Sequence, residues 1–86
     1  MKGNINRELD SAFIKIPSLW PRFPLLPVTR YENGKKEYGV IHCKSDTSVK
    51  IINMFLAPHD FETFQELEGI DYQSIDELLD DGWMVD

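Results

Sequence analysis

The 86-residue sequence predicts a small α+β domain, and three observations lead there. The pair Asn33-Gly34 lies between alternating apolar and polar residues, a two-residue turn signal that specifies a β-hairpin. Two later segments each open on a capping residue, carry a short apolar stripe and end on glycine, as short helices do. Four of the five prolines fall between Pro17 and Pro27, which excludes regular helix and inner strand from that stretch. The expected architecture is a three-stranded antiparallel β-meander with an N-terminal helix, a proline-rich strap and two short acidic C-terminal helices. One domain spans residues 1–86, since the length supports only one small core.

Asn4 is a candidate cap for the first helix, with Ile5, Leu9, Ala12 and Phe13 on one stripe. Pro17 ends it, because the residue before a proline is pushed out of the helical region. A short strand through Ala12–Ile16 is the competing reading. The strap follows as "PSLWPRFPLLP". Its last three prolines recur every third residue, the period of polyproline II, so Trp20, Phe23 and Leu26 would align on one side. Such a side either packs on the protein's own core or docks into an aromatic groove on a partner.

The hairpin register places Glu32 opposite Lys35, Tyr31 opposite Lys36, Arg30 opposite Glu37 and Thr29 opposite Tyr38. Turn chemistry and cross-strand charge pairing therefore agree. "KSDTS" then reads as a turn, and Val49–Ala57 as a third strand rich in β-branched and aromatic residues. A helix starting at Asp46 is the alternative there. Asp60 can cap a helix with Phe61, Phe64 and Leu67 inward, stopped by Gly69. Ser74 and Glu77 form an S-x-x-E capping box for a last helix with Ile75, Leu78 and Leu79 inward, stopped by Gly82. Trp83 and Val85 then tuck back against the core.

Charge divides the chain more sharply than its net value of −6 suggests. Residues 1–56 hold nine Lys or Arg and five acids, whereas residues 57–86 hold ten acids and neither Lys nor Arg. On the last helix Asp76, Glu77, Asp80 and Asp81 cover the side opposite the apolar stripe. Asp76–Asp80, Glu77–Asp81 and Glu62–Glu66 are like-charge pairs four residues apart, each costing roughly 0.2–0.5 kcal/mol. Asp80 and Asp81 also oppose the helix dipole, by about 0.3–1 kcal/mol each. A total of roughly 1–3 kcal/mol is a real share of a small domain's stability, and such violations concentrate at functional sites.

The function expected from this is a small protein-binding inhibitor or antidote that occludes the basic site of a nuclease or another nucleic-acid-binding protein. The kind carried by phages or toxin-immunity systems has this size and acidity. The partner-binding candidates are Glu62, Glu66, Glu68, Asp71, Tyr72, Asp76, Glu77, Asp80, Asp81 and Trp83. Four carboxylates over six helical residues give roughly one charge per 2.3 Å of axis, between a single DNA strand and a duplex. The alternative is a regulatory or assembly subunit docking through Trp20, Phe23 and Leu26, its acids serving only solubility.

Enzymatic constellations are thin. His42 and His59 are the only imidazoles and Cys43 the only thiol. His42 and Cys43 point to opposite sides of a strand. Cys43, His59 and Asp60 lack a recognised zinc spacing, Cys43 with His59 lacks a nucleophile signature, and no glycine-rich phosphate loop occurs. No catalytic residue, metal or cofactor is expected. The hairpin cations Arg30, Lys35 and Lys36 and the tyrosines 31 and 38 make only a weak nucleic-acid signal against the acidic remainder. A lone cysteine, no secretory pattern and no long apolar run lead to the expectation of a cytoplasmic chain without membrane contact.

Overall fold

The computed structural model describes residues 3–86, with side chains from Arg7 onward. Helix α1 (Gly3–Lys15) leads through a 3₁₀ turn at Pro17–Leu19 into β1 (Leu25–Glu32), β2 (Lys35–His42) and β3 (Ser45–Lys50). A second 3₁₀ turn (Met54–Leu56), the single-turn helix α2 (Phe61–Phe64), β4 (Gly69–Asp71), helix α3 (Ile75–Asp80) and β5 (Met84–Val85) complete the chain. The α+β class therefore stands, but the sheet has five strands instead of three, all antiparallel, in the order β4-β3-β2-β1-β5. The two added strands are only three and two residues long, too short for hydrophobic periodicity to register.

The β1–β2 hairpin has the register expected from its turn, with Glu32 facing Lys35, Arg30 facing Glu37 and Thr29 facing Tyr38. Asn33 at φ 55° and Gly34 at φ 78° supply the two left-handed residues that the tight turn requires. The third strand falls earlier than its propensity suggests. Cys43 and Lys44 make the turn, His42 pairs with Ser45, and β3 ends at Lys50 where its β4 partner Gly69 begins. Asn53 then redirects the chain, its side chain accepting a hydrogen bond from Phe55 N at 2.8 Å to start the second 3₁₀ turn.

The proline segment is not an extended strap: it turns as far as Pro24, and Leu25–Pro27 then enter β1, which lies between β2 and β5, so the expected exclusion of an inner strand does not hold at Pro27. Backbone bonds from Trp20 N to Pro17 O (2.9 Å), Phe23 N to Trp20 O (3.3 Å) and Leu25 N to Arg22 O (3.0 Å) fold it into successive turns. Trp20 is buried, with its indole N–H donating to Phe13 O at 2.8 Å, and Leu26 is buried within β1. Phe23 alone of the three is exposed. Helix α1 includes Asn4, so the helix does not begin there; the side chains of Asn4 and Ile5 lie outside the described residues. Its inward side carries Ile14, Phe13 and Asp10, while Leu9 and Ala12 face outward.

Two apolar clusters grip the sheet from opposite faces. On the first face Leu26, Val28, Ile41 and Val49 pack with Ile14, Trp20, Leu78, Leu79 and Trp83. On the second, Leu25 and Val40 pack with Ala57 and Phe64, flanked by Met54, Phe61 and Leu67. Ile75, Leu78 and Leu79 of α3 and Phe61 and Phe64 of α2 thus face inward as expected, on different faces, but α2 ends at Phe64, short of Leu67, and Gly69 opens β4 instead of stopping a helix. Asp60 caps α2 by accepting from Thr63 N at 2.9 Å, and bonds from the Thr63 hydroxyl and amide hold its carboxyl below the usual carboxylate range. Ser74 caps α3, accepting from Glu77 N at 3.1 Å. Glu77 returns a bond to Gln73 N at 3.0 Å, one residue before the position of a standard box. Gly82, at φ 97°, ends α3 and turns the chain into Trp83.

Trp83 lies against the first face because Gly39 leaves room for it. A Cβ at position 39 would sit 2.5 Å from Val49 Cγ1 and 3.1 Å from two ring atoms of Trp83. Burying a ring of this size contributes on the order of 4–6 kcal/mol at about 25 cal/mol per Å². Gly39→Ala should therefore destabilise the fold by about 1–3 kcal/mol through overpacking. Urea denaturation followed by Trp fluorescence measures this, and an unchanged midpoint would contradict the seating of Trp83 on the sheet.

Candidate functional site

Arg30 is the centre of the charged surface. It is a sheet residue on the first face, only 8% exposed, and its guanidinium lies 4.6 Å from the Trp83 ring centroid. Nε donates to Glu37 Oε1 at 2.5 Å, Nη1 to Asp81 Oδ2 at 2.6 Å, and Nη2 reaches Glu32 Oε1 at 3.3 Å. Desolvation by burial works against its charge, but the Glu37 bond and the charges of Glu37, Asp81 and Glu32 outweigh it and raise its pKa. The stack on Trp83 adds a cation–π attraction of about 1–2 kcal/mol at a site this desolvated.

Tyr72 and Trp83 extend this centre. The Trp83 indole N–H donates to the Tyr72 oxygen at 2.9 Å, and the Tyr72 hydroxyl donates to Asp81 Oδ2 at 2.5 Å. One carboxylate oxygen thereby accepts from both Arg30 and Tyr72. Burial and the Asp81 bond push the Tyr72 phenol up to about 12. Trp83, 1% exposed, is committed to the fold, whereas Tyr72 is half-buried.

A second arginine, from α1, covers the other side of α3. Arg7 Nη1 lies 2.9 Å from Asp80 Oδ1, and Nη2 lies 3.7 Å from Asp76 Oδ1 and donates to Asp76 O at 2.9 Å. Residues 57–86 contain no Lys or Arg, so α3 has no base of its own to pair with its carboxylates. Instead, Asp76, Asp80 and Asp81 meet arginines from distant parts of the chain. The dipole penalty at the C-terminal turn is offset in the same way, Asp80 by Arg7 and Asp81 by Arg30. Neutralisation is still incomplete. Five carboxylates, those of Glu32, Glu37, Asp76, Asp80 and Asp81, share two guanidiniums. The side chains of Asp76 and Asp80 remain 78% and 70% exposed.

The ten candidates do not form one continuous face. Glu62 and Glu66 follow the α2 segment, which packs on the second face of the sheet, while α3 packs on the first. Glu68 and Asp71 lie at the β4 edge, where Asp71 accepts from the Ser48 hydroxyl at 2.6 Å. None of these four makes an ion pair among the described residues. Glu32 and Glu37 join the α3 acids instead. The Arg30–Glu37 pairing was legible in the hairpin register, but the convergence of Asp81 on the same guanidinium was not.

His42 and Cys43 pack against opposite clusters, as alternation along a strand requires. His42 Nδ1 accepts from Lys44 N at 3.1 Å and Nε2 lies 2.9 Å from His59 O, which assigns the proton to Nε2. Both ring nitrogens are thus committed to backbone groups. Among the described residues no group of three His, Cys, Asp or Glu side chains is arranged to hold a metal ion. No helix among them is long and apolar enough to cross a membrane. No family model, no curated protein and no solved structure matches the chain.

Two measurements probe the Arg30 centre. Replacing Arg30 with Leu strands three carboxylates around a buried apolar group and should cost about 2–4 kcal/mol in urea denaturation; a loss below 0.5 kcal/mol would contradict its central role. The raised Tyr72 pKa means that the protonated phenol favours the folded state. That stabilisation is complete below the ordinary value of 10.0 and is lost as pH rises toward about 12. In an ultraviolet titration of the folded protein, Tyr72→Phe should remove a phenol titrating near 12.

Proposed function

We propose that this chain is a non-catalytic protein-binding domain whose acidic ridge covers a basic surface on its partner, as an inhibitor or antidote of a nuclease or another nucleic-acid-binding protein would. The observation that supports the reading is that, among the described residues, five carboxylates share the guanidiniums of Arg7 and Arg30, with Glu77 of α3 outside these pairs and Lys35 and Lys36 the other cations of the hairpin. The negative charge in excess of the ion pairs is held in place by side chains already anchored to the fold. Less side-chain freedom is then lost when a partner binds, and a complementary potential steers the encounter. The contact residues of this reading are Asp76, Glu77, Asp80, Asp81, Glu32 and Glu37, with Asp81 and Glu37 also serving the fold. Glu62, Glu66, Glu68 and Asp71 would belong to a separate contact, if to any.

A second reading, a regulatory or assembly subunit, rests on apolar exposure. Phe23 is 57% exposed, and Phe55 and Leu56 on the second 3₁₀ turn are 80% and 75% exposed. Arg22, beside Phe23, lies 5.4 Å from the Phe55 ring centroid, which brings these groups to one region. Trp20 and Leu26 are not available to it.

Charge reversal separates the two. The variant Asp76→Lys/Asp80→Lys breaks the pairs of half-buried Arg7 with two largely exposed carboxylates, leaves the Arg30 centre intact and should cost about 1–2 kcal/mol. Asp81 is unsuitable for this purpose, because its loss would unfasten Arg30. The immobilised protein should capture nucleic-acid-binding proteins from a cell lysate at low salt, release them as salt rises, and compete with duplex DNA for them. The double variant should lose that capture. Capture that ignores both salt and charge reversal, but fails in Phe55→Ser/Leu56→Ser, would favour the second reading and overturn the first.

A further inference from the structure

A groove of about 400 Å³ runs beside α1, on the flank formed by β5 and the proline turns. Its walls are apolar: Leu9, Phe13, Pro21, Leu26 and Val85. Leu9 is 63% exposed. Among these walls stands Asp10, half-buried, with Oδ2 accepting from Val85 N at 3.1 Å. Among the described residues Asp10 forms no ion pair. Burial raises its pKa, and the Val85 bond opposes that rise. The other charged groups at the groove are Arg22, which stacks toward Phe55, and Asp86, which is exposed.

We propose that this groove receives a lysine or arginine side chain of the basic partner, its methylene stem on the apolar walls and its cationic head at Asp10. Two properties of the groove select that occupant. A purely apolar side chain would leave a partly desolvated carboxylate without a counter-charge, which is costly. A short cation would leave the Leu9 and Val85 walls uncovered. Long cationic side chains combine an apolar stem with a charged head, and an incoming cation offsets the desolvation of Asp10. Helix α1 places the two surfaces on its flanks, Arg7 toward the ridge on α3 and Asp10 toward the groove. The inference rests on the reading of the partner as basic, and it adds a specific anchor to a general electrostatic attraction.

n-Hexylammonium serves as a free stand-in for the side chain, with n-hexanol as its neutral counterpart, in amide NMR titrations of the labelled protein. Hexylammonium should shift the Val85 and Leu26 amides saturably and bind at least about tenfold tighter than hexanol, as expected for a partly desolvated ion pair. Asp10→Asn keeps an acceptor for Val85 N and should abolish that preference, while Leu9→Ser should weaken both ligands. Equal affinity for the two ligands in the unmodified protein would overturn the proposal without recourse to any variant. So would a preference that survives in Asp10→Asn, or shifts confined to other parts of the molecule. Asp76→Lys/Asp80→Lys should bind hexylammonium normally. Normal groove binding with loss of salt-sensitive capture, or the reverse, therefore shows which of the two surfaces has failed.

Discussion

The structure depends on one guanidinium held between a sheet and a C-terminal turn. Arg30 projects from β1, stacks on Trp83 and bonds to Glu37 of the neighbouring strand and to Asp81 at the end of α3. Through Asp81 it fixes the exit of the last helix, and through Trp83 it seals the first face of the sheet. A cation this buried would be expensive alone, since removal from water costs several kcal/mol. Three carboxylates make it tolerable, and the cost moves to them: their mutual repulsion is only partly relieved by one positive charge. The same contact that closes the core thus creates an acidic surface beside it.

This coupling answers a question posed by the acids at the C-terminal turn of α3, where the dipole disfavours them. Asp80 and Asp81 are retained first because Arg7 and Arg30 come to meet them. A solvated, purely solubilising surface has no need of such anchoring, and five carboxylates on two guanidiniums exceed a one-to-one set of ion pairs. The ridge lies between these two cases. It is tied down by arginines and still negative, which are the properties that complementarity to a cationic surface requires.

Much of this was legible in the sequence wherever the determinants were local. Asn33-Gly34 set the hairpin and its register, Asp60 and Ser74 set the starts of two helices, and Gly82 set a stop. The features that escaped are non-local. The strands β4 and β5 exist because neighbouring backbone offers unpaired groups. β3 ends at Lys50 because its partner runs out and Asn53 turns the chain, despite the apolar residues that follow. The prolines suggested an extended strap, yet burial of Trp20 and backbone turn bonds bent it. The sequence shows charge type but not which arginine lies opposite which acid. Arg7 and Asp76 are 69 positions apart, and their meeting follows only from how α1 packs on α3. Division of the remaining acids between the two sides of the sheet was hidden for the same reason.

The central claim, that the ridge holds more negative charge than its own arginines neutralise, is tested most directly by thermal unfolding of the isolated protein across ionic strength. Screening weakens both the attractions and the repulsions of exposed charges, so the sign of the response shows which dominates. Surplus like charge predicts a melting temperature that rises as sodium chloride goes from about 0.01 M to 0.3 M, where the screening length falls well below the size of the molecule. A melting temperature that falls over that range would mean that attractions outweigh the like-charge repulsions despite the net charge of −6, and would contradict a surplus held at the ridge.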